Sequence, residues 1–320
     1  MLLNKGVNVS NRAVLTLGAI AATAATISAY AVPAFAQDAI VQVDGSSTVF
    51  PITEAMAEEF QAENPGTAVV VGVSGTGGGF KKFCAGETDI SGASRPIKDS
   101  EVELCAENGI SFIEVPVAYD ALTVVINSDN SWANTMTTEQ LRTIWEAGAE
   151  GEITNWNQID ASFPDEDLAL YAPGTDSGTF DYFNEAILED DAGEELGHRG
   201  DYTASEDDNI LVLGVQGATG GIAYFGLAYY LENQDTLTSV GIDSGDGPVF
   251  PSAETVENGT YTPLSRPIFI YVREDSLEKP EVARFVDFYL AQENIDTLVP
   301  EVGYVPLPDA MYDEGRASVQ

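Results

Sequence analysis

The chain has 320 residues, of which 13 are basic and 52 acidic, for a net charge of −39 at neutral pH. That excess of carboxylates excludes nucleic acid as a partner, because phosphate backbones are held through lysine and arginine. Two cysteines and one histidine leave little material for metal or thiol chemistry.

The first segment reads as a leader. Lys5 and Arg12 form a short basic start, and an apolar, alanine-rich run follows from Ala13 to Val32. Ala34-Phe-Ala36 then offers a small-x-small cleavage site, so residues 1–36 are a predicted secretory signal peptide, cleaved before Gln37. The alternative, a membrane anchor, is disfavoured by the Thr and Ser within the run and by Pro33. The residue directly after Ala36 is Gln37, not a cysteine that could carry a lipid. A periplasmic or secreted location is therefore expected. The 284 residues that remain carry 11 basic and 52 acidic groups, about −41 in net charge. We read this as a solvated surface adapted to high salt. The length suits two domains or one large α/β unit.

Strands and helices alternate along the rest. Ala39–Val43 is a predicted strand, and Ile52, Met56 and Phe60 recur at helical spacing. Ala68–Val73 is a strand, Phe80 and Phe83 begin a helix, and Asp89–Ala93 is a short strand. Phe112–Val117 and Leu122–Ile126 are two apolar, β-branched runs. Thr138–Trp145 and Phe180–Leu188 read as helices, with the strand Leu168–Tyr171 between them. The strand Ile222–Phe225, the helix Leu227–Leu231, the strand Pro267–Val272 and the helix Pro280–Ala291 complete the series. The pattern predicts a mostly parallel α/β fold with ligand loops at the strand ends.

Three loops of glycine and small hydroxyl residues run into helices. They are Asp44-Gly-Ser-Ser-Thr-Val-Phe-Pro51, Ser74-Gly-Thr-Gly-Gly-Gly-Phe-Lys81 and Asp176-Ser-Gly-Thr-Phe180. A helix N-terminus presents unpaired N–H groups and a partial positive charge. Three of them meeting at one point make an oxyanion cage without a metal. Glu114–Asp120 and Pro263–Pro267 look like passages between two lobes, which places the cage in the cleft between them. Arg95, directly after a strand ending in small residues, is expected to face that cleft, with Arg199 and Arg266 as weaker candidates. Arginine suits the task because its planar fork meets an oxyanion with two bonds.

These loops, in this order after a signal peptide, resemble the periplasmic phosphate-binding protein of the phosphate ABC transporter. The likeness extends to Asp89-Ile-Ser-Gly-Ala-Ser-Arg-Pro96, Asp201–Asn209 and Pro263–Phe269, as in its cyanobacterial-type branch. The resemblance implies a two-lobed α/β Venus-flytrap solute-binding protein of type II, with two crossovers. Lobe 1 is then 37–117 plus 266–320, and lobe 2 is 118–265. Inorganic phosphate is the implied ligand and a membrane permease the implied partner. A monomer is expected, with no cofactor, no metal and no enzymatic activity. The implied donors are Ser47, Thr48, Val49, Thr76 (or Ser74 in the other register), Ser177, Gly178 and Thr179. Two positions depart from the enterobacterial pattern. Arg95 stands where those members carry an aspartate that accepts the ligand's proton, and Pro173 where they carry an arginine. Asp44 and Asp176 are the replacements considered for the missing acceptor.

Other readings are weaker. Asp176-Ser-Gly-Thr179 matches the aspartic-protease tetrapeptide, but that chemistry needs a second copy. A secreted phosphoesterase with the same anion pocket is the alternative function. It requires a nucleophile with a base, or a metal site, and neither is visible. Glu206-Asp-Asp-Asn209 reads as a solvated turn rather than a calcium site. Cys84 and Cys105 are expected to pair in an exported protein, the alternative being two buried thiols.

Overall fold

The computed structural model describes residues 39–175, 177–189 and 194–320. The leader and Asp176 lie outside the described residues. The chain enters as β1 (Ala39–Gly45), α1 (Phe50–Glu63), β2 (Thr67–Val73), α2 (Gly75–Cys84), β3 (Ile90–Ala93) and α3 (Asp99–Glu107). A single 16-residue strand follows, β4 (Phe112–Asn127). Then come β5 (Thr135–Thr137), α4 (Thr138–Trp145), β6 (Ala169–Ala172), α5 (Gly178–Ile187), β7 (Thr203–Ala204) and α6 (Asp208–Gly217). β8 (Gly221–Gly226), α7 (Leu227–Asn233), β9 (Leu237–Ser239), β10 (Gly241–Asp243), β11 (Pro248–Val249) and α8 (Ala253–Glu257) come next. The chain returns through β12 (Ser265–Arg273) to α9 (Pro280–Tyr289), α10 (Gln292–Glu301) and α11 (Asp309–Ser318).

Two long strands organise everything else. The main sheet has the order β2-β1-β3-β12-β4-β8-β6-β7, with β9 also paired to β4. β4 and β12 run antiparallel from Arg273↔Phe112 to Ser265↔Ala121, with a register shift at Ile268/Phe269. Beyond that, β4 continues alone to pair with β8. One core packs Val43, Phe60, Val115, Ile270 and Phe285. The other packs Leu122, Trp145, Trp156, Phe183 and Tyr224. Tyr119, on β4, packs against both. This is the two-lobed α/β architecture.

Three expectations change. The sheet is mixed rather than mostly parallel: β1–β2, β1–β3, β6–β7 and β6–β8 are parallel, while the centre is antiparallel. The cause is topological, since a chain that leaves through one strand and returns through its neighbour must reverse direction. Phe112–Val117 and Leu122–Ile126 are not two strands but one, because the polar stretch between them pairs with β12. The second helix starts at Gly75, not at Phe80, so the glycine loop is itself helical. Gly79 explains why: a Cβ there would lie 2.6 Å from the Gly45 Cα and 2.8 Å from the Ser91 Oγ. That glycine lets α2 lie directly on the ends of β1 and β3, rather than on a ligand.

Cys84 and Cys105 are both buried and are bonded to each other, joining α2 to α3. They sit in a small core with Phe80, Phe83 and Tyr271. Closing a loop of this separation contributes about 3 kcal/mol in the chain-entropy model. The double variant Cys84→Ser/Cys105→Ser is expected to lose about that much in urea unfolding, with a steeper slope because the released unfolded chain exposes more surface. Intact mass after alkylation without reductant should show no modified thiol. Two modified thiols would overturn the pairing.

Candidate functional site

The first loop closes on itself. Ser46 Oγ accepts from the Thr48 N–H at 3.1 Å. The Ser46 carbonyl accepts from Val49 N at 3.2 Å and Phe50 N at 3.1 Å. The Thr48 and Val49 amides therefore hold the turn that starts α1, and in this geometry they are not free donors. The Ser47 and Thr48 side chains are what the loop presents. In the third loop Ser177 caps α5, its Oγ accepting from Thr179 N at 3.2 Å. A serine that accepts at a cap keeps its own proton to donate elsewhere. Gly178 lies against the first loop, where a Cβ would be 2.9 Å from the Thr48 Cα. The first and third loops thus meet across the cleft.

The second loop is used differently. Ser74 Oγ donates to the Asp44 carboxylate, and Lys82 Nζ lies 2.6 Å from the other Asp44 oxygen. Asp44 is therefore matched behind the loop and is no spare acceptor for a ligand. Thr76 Oγ1 is 3.0 Å from Ser94 Oγ and accepts from Ser94 N at 3.2 Å, which ties the loop to the end of β3. Asp176, the other acceptor considered, is outside the described residues.

The three arginines have three different roles. Arg199 is 2% exposed and spends its fork on Asp201 (2.6 and 2.9 Å) and on the Ile144 and Ile153 carbonyls. It clamps α4 to the segment before β7, so it is withdrawn as a ligand candidate. Asp201 is held down to about 2 by the Arg199 hydrogen bonds. Arg95 forms two parallel bonds of 2.8 Å with Glu101. Glu101 is itself fixed by the Lys98 N–H at 2.9 Å, one element of the cap of α3. Burial pushes Glu101 up, but Arg95 and that amide outweigh it and hold the carboxyl below its usual range. Arg95 lines a cavity of about 270 Å³ shared with Ser94, Tyr182, Glu185 and Arg266, yet its charge is already matched.

Arg266 is the arginine of the cleft floor. Its guanidinium stacks on Tyr182, 3.7 Å from the ring centroid, and Nη1 donates to Glu185 Oε2 at 2.6 Å. Its register partner on the other crossing strand is Asp120. Asp120 is 5% exposed, and its Oδ2 lies 3.7 Å from Arg266 Nε, an ion pair without a hydrogen bond. Both atoms are buried, and neither has a hydrogen-bond partner. Of the orphaned side-chain atoms among the described residues, only these two belong to charged groups. The Asp120 carboxyl is raised to about 6: burial pushes it up, Arg266 pulls against that, and Glu185 adds to the rise.

Tyr304 connects this floor to the loops. Burial raises its hydroxyl well above the usual tyrosine range, with the Asp120 charge adding to the rise, and that hydroxyl donates to the Thr48 carbonyl at 2.6 Å. Tyr182, on α5, is raised chiefly by burial and next by the Asp120 charge, and it donates to the Pro263 carbonyl at 2.8 Å. A buried acceptor beside a buried cationic donor, below two loops that bring Thr48 and Ser177 together, suits a small tetrahedral oxyanion that carries a proton. Sequence reasoning did not single out Asp120. The signal was one carboxylate inside an apolar strand, opposite one arginine in the other crossing segment. The single histidine offers no base to these hydroxyls. His198 Nδ1 is 2.7 Å from the Arg199 carbonyl and Nε2 is 3.1 Å from Tyr224 OH.

Comparison with known proteins supplies the context. Residues 20–293 match the PBP superfamily domain. The chain is 56% identical over 280 residues to SphX of Synechococcus elongatus, covering 87% of this chain and 81% of that protein. It is 37% identical over 275 residues to the phosphate-binding protein PstS of Staphylococcus haemolyticus, covering 85% and 82% respectively. The crystal structure of a possible phosphate binding protein from Planctomyces limnophilus superposes with a TM-score of 0.82 at 45% identity, covering 88% of this chain and 98% of that one. The chain belongs to the PBP superfamily, in the group that includes the cyanobacterial SphX and staphylococcal PstS proteins.

Proposed function

We propose that this protein binds inorganic phosphate outside the cytoplasm and delivers it to an ABC-type permease. The observation that carries the reading is the orphaned pair at the cleft floor, Asp120 Oδ2 and Arg266 Nε. Phosphate near neutral pH offers both a P–O–H for the carboxylate and anionic oxygens for the guanidinium. Sulfate offers no proton, so Asp120 would face an anion across a dry gap. Asp120 thus takes the acceptor role that Arg95 leaves open in the enterobacterial comparison. The names of the relatives point to the same ligand. The buried disulfide fits an oxidising compartment, and with it the signal peptide read in residues 1–36. We assign 37–117 with 266–320 to one lobe and 118–265 to the other, hinged where Asp120 faces Arg266. Ser47, Thr48, Thr76, Ser177, Gly178 and Thr179 surround the anion, with Val49 and Ser74 one step behind. Binding without turnover is the reading, since no observation favours the phosphoesterase.

Titration calorimetry of the purified protein with phosphate and with sulfate tests this directly. Asp120→Asn removes the negative charge and puts an N–H donor in place of one carboxylate oxygen, which should cost on the order of 2–5 kcal/mol of phosphate binding, while sulfate binding rises. Phosphate binding that is unchanged in the variant would remove Asp120 from the site.

The two arginines should separate by readout. Arg266→Ala is expected to weaken phosphate binding with a modest change in melting temperature. Arg199→Ala leaves two carbonyls and Asp201 unmatched, so it should lower the melting temperature and leave the affinity of the folded fraction nearly intact. The reverse pattern would show that the site lies at Arg199.

Salt is the third test. A surface near −41 repels a free anion, and the Debye length shrinks to about 3 Å at 1 M. The acidic surface also repels itself less when screened. Raising NaCl should therefore raise both the association rate for phosphate and the melting temperature. A rate that falls steadily with salt would reveal an exposed basic patch as the capture site.

A further inference from the structure

We propose that Tyr304 is a positioning residue for the anion site, its hydroxyl fixing the first loop to the strand that crosses between the two cores. The proposal rests on the phosphate reading above and adds a residue that acts through Thr48 rather than on the ligand itself. The argument starts at an edge of β4. Opposite β12, that edge is taken by β8 from Leu122 to Ile126. At Tyr119 the pairing with β8 has ended, and a different piece of chain takes its place. Tyr119 N donates to the Val305 carbonyl at 2.8 Å, and Val305 N donates back at 3.0 Å. Tyr119 directly precedes Asp120, so Val305 is anchored one residue from the buried carboxylate. The same segment meets the end of β8, where a Cβ on Gly226 would lie 3.5 Å from the Gly303 carbonyl oxygen. Residues 303–305 therefore occupy the place beside β4 that β8 leaves.

From this anchored segment Tyr304 reaches the first loop, 256 residues away in sequence, and donates to the Thr48 carbonyl at 2.6 Å. Burial and the Asp120 charge raise that hydroxyl well above the usual tyrosine range, so it keeps its proton as a donor near neutral pH. Thr48 is thereby fixed at each backbone position. Its N–H goes to Ser46 Oγ at 3.1 Å. Its Cα is where Gly178 of the third loop comes closest, 2.9 Å from a Cβ placed on that glycine. Its carbonyl takes the Tyr304 proton. The Val49 carbonyl is met by α1 itself, through Thr53 N at 3.1 Å, whereas the Thr48 carbonyl is met from outside the helix. Thr48 is 2% exposed, so without Tyr304 that carbonyl would be buried and unmatched. Relieving it requires the Thr48–Val49 peptide to turn, and the hydroxyls that the loop presents turn with it.

The test is Tyr304→Phe, which keeps the ring and removes one hydroxyl. Tyr312→Phe is the control. The Tyr312 hydroxyl also donates to a backbone carbonyl, that of Val117 on β4 at 2.7 Å, and accepts from Leu307 N at 3.1 Å, so both of these partners lie outside the loops. Phosphate affinity is measured by calorimetry and phosphate release by stopped flow, beside the melting temperature without ligand. Tyr304→Phe should weaken phosphate binding about tenfold, chiefly through faster release. Tyr312→Phe should lower the melting temperature at least as far and hold the affinity within about twofold. Wild-type affinity in Tyr304→Phe overturns the proposal, whatever its melting temperature, and leaves phosphate binding intact. Equal losses of affinity in the two variants overturn it too, because they mark a general loosening of the fold. A wild-type protein that binds no phosphate would instead defeat the phosphate reading itself, and this proposal with it.

Discussion

A carboxylate taken out of water must be matched, and Asp120 is matched only in part. Its nearest cation, Arg266, stops 3.7 Å short, and both facing atoms lack a hydrogen-bond partner. An orphaned buried charge of this kind costs several kcal/mol unless something completes it. The rest of the molecule can be understood as the support for that incomplete pair. β4 and β12 place the two residues in register, Tyr182 holds the guanidinium flat, and Glu185 anchors one of its ends. The same strands are the connection between the two cores, so the site and the junction are one piece of structure.

Much of this architecture was legible in the sequence, and for specific reasons. Apolar spacing placed α1 on Ile52, Met56 and Phe60, and all three are buried. β1, β2, β3 and β12 fall within two residues of the predicted bounds, because each is a short apolar run closed by glycine, proline or charge. What failed was pairing. Period and composition do not say which strand lies beside which, so the antiparallel centre was read as parallel. α3 was missed because only Cys105 among its nine residues is buried, leaving almost no stripe to detect.

The glycine-rich loops show a related limit. Glycine marks a place where something comes close, without saying what. At Gly178 the close neighbour is the opposite loop, and at Gly79 it is the chain's own strands. Likewise, amides at a helix start were expected to face a ligand, yet Ser46 takes those of Thr48, Val49 and Phe50. Hydrogen-bond accounting at this level depends on side-chain direction, which the order of residues does not contain. It is also what moved the acceptor role away from Asp44, already filled by Ser74 and Lys82, and toward Asp120.

The acidity of the chain sharpens this point. Among the described residues, eight of the eleven basic groups after the leader lie within an ion pair, from Lys82–Asp44 to Arg316–Asp313. With so few cations, and most of them matched, recognition of an anion cannot rest on surplus positive charge. It has to rest on where protons sit: which hydroxyl donates, which carboxylate accepts, and which ligand oxygen carries a hydrogen. Charge alone separates phosphate from sulfate poorly, since both are small tetrahedral anions. Protons separate them completely, because one has P–O–H groups to give and the other has none.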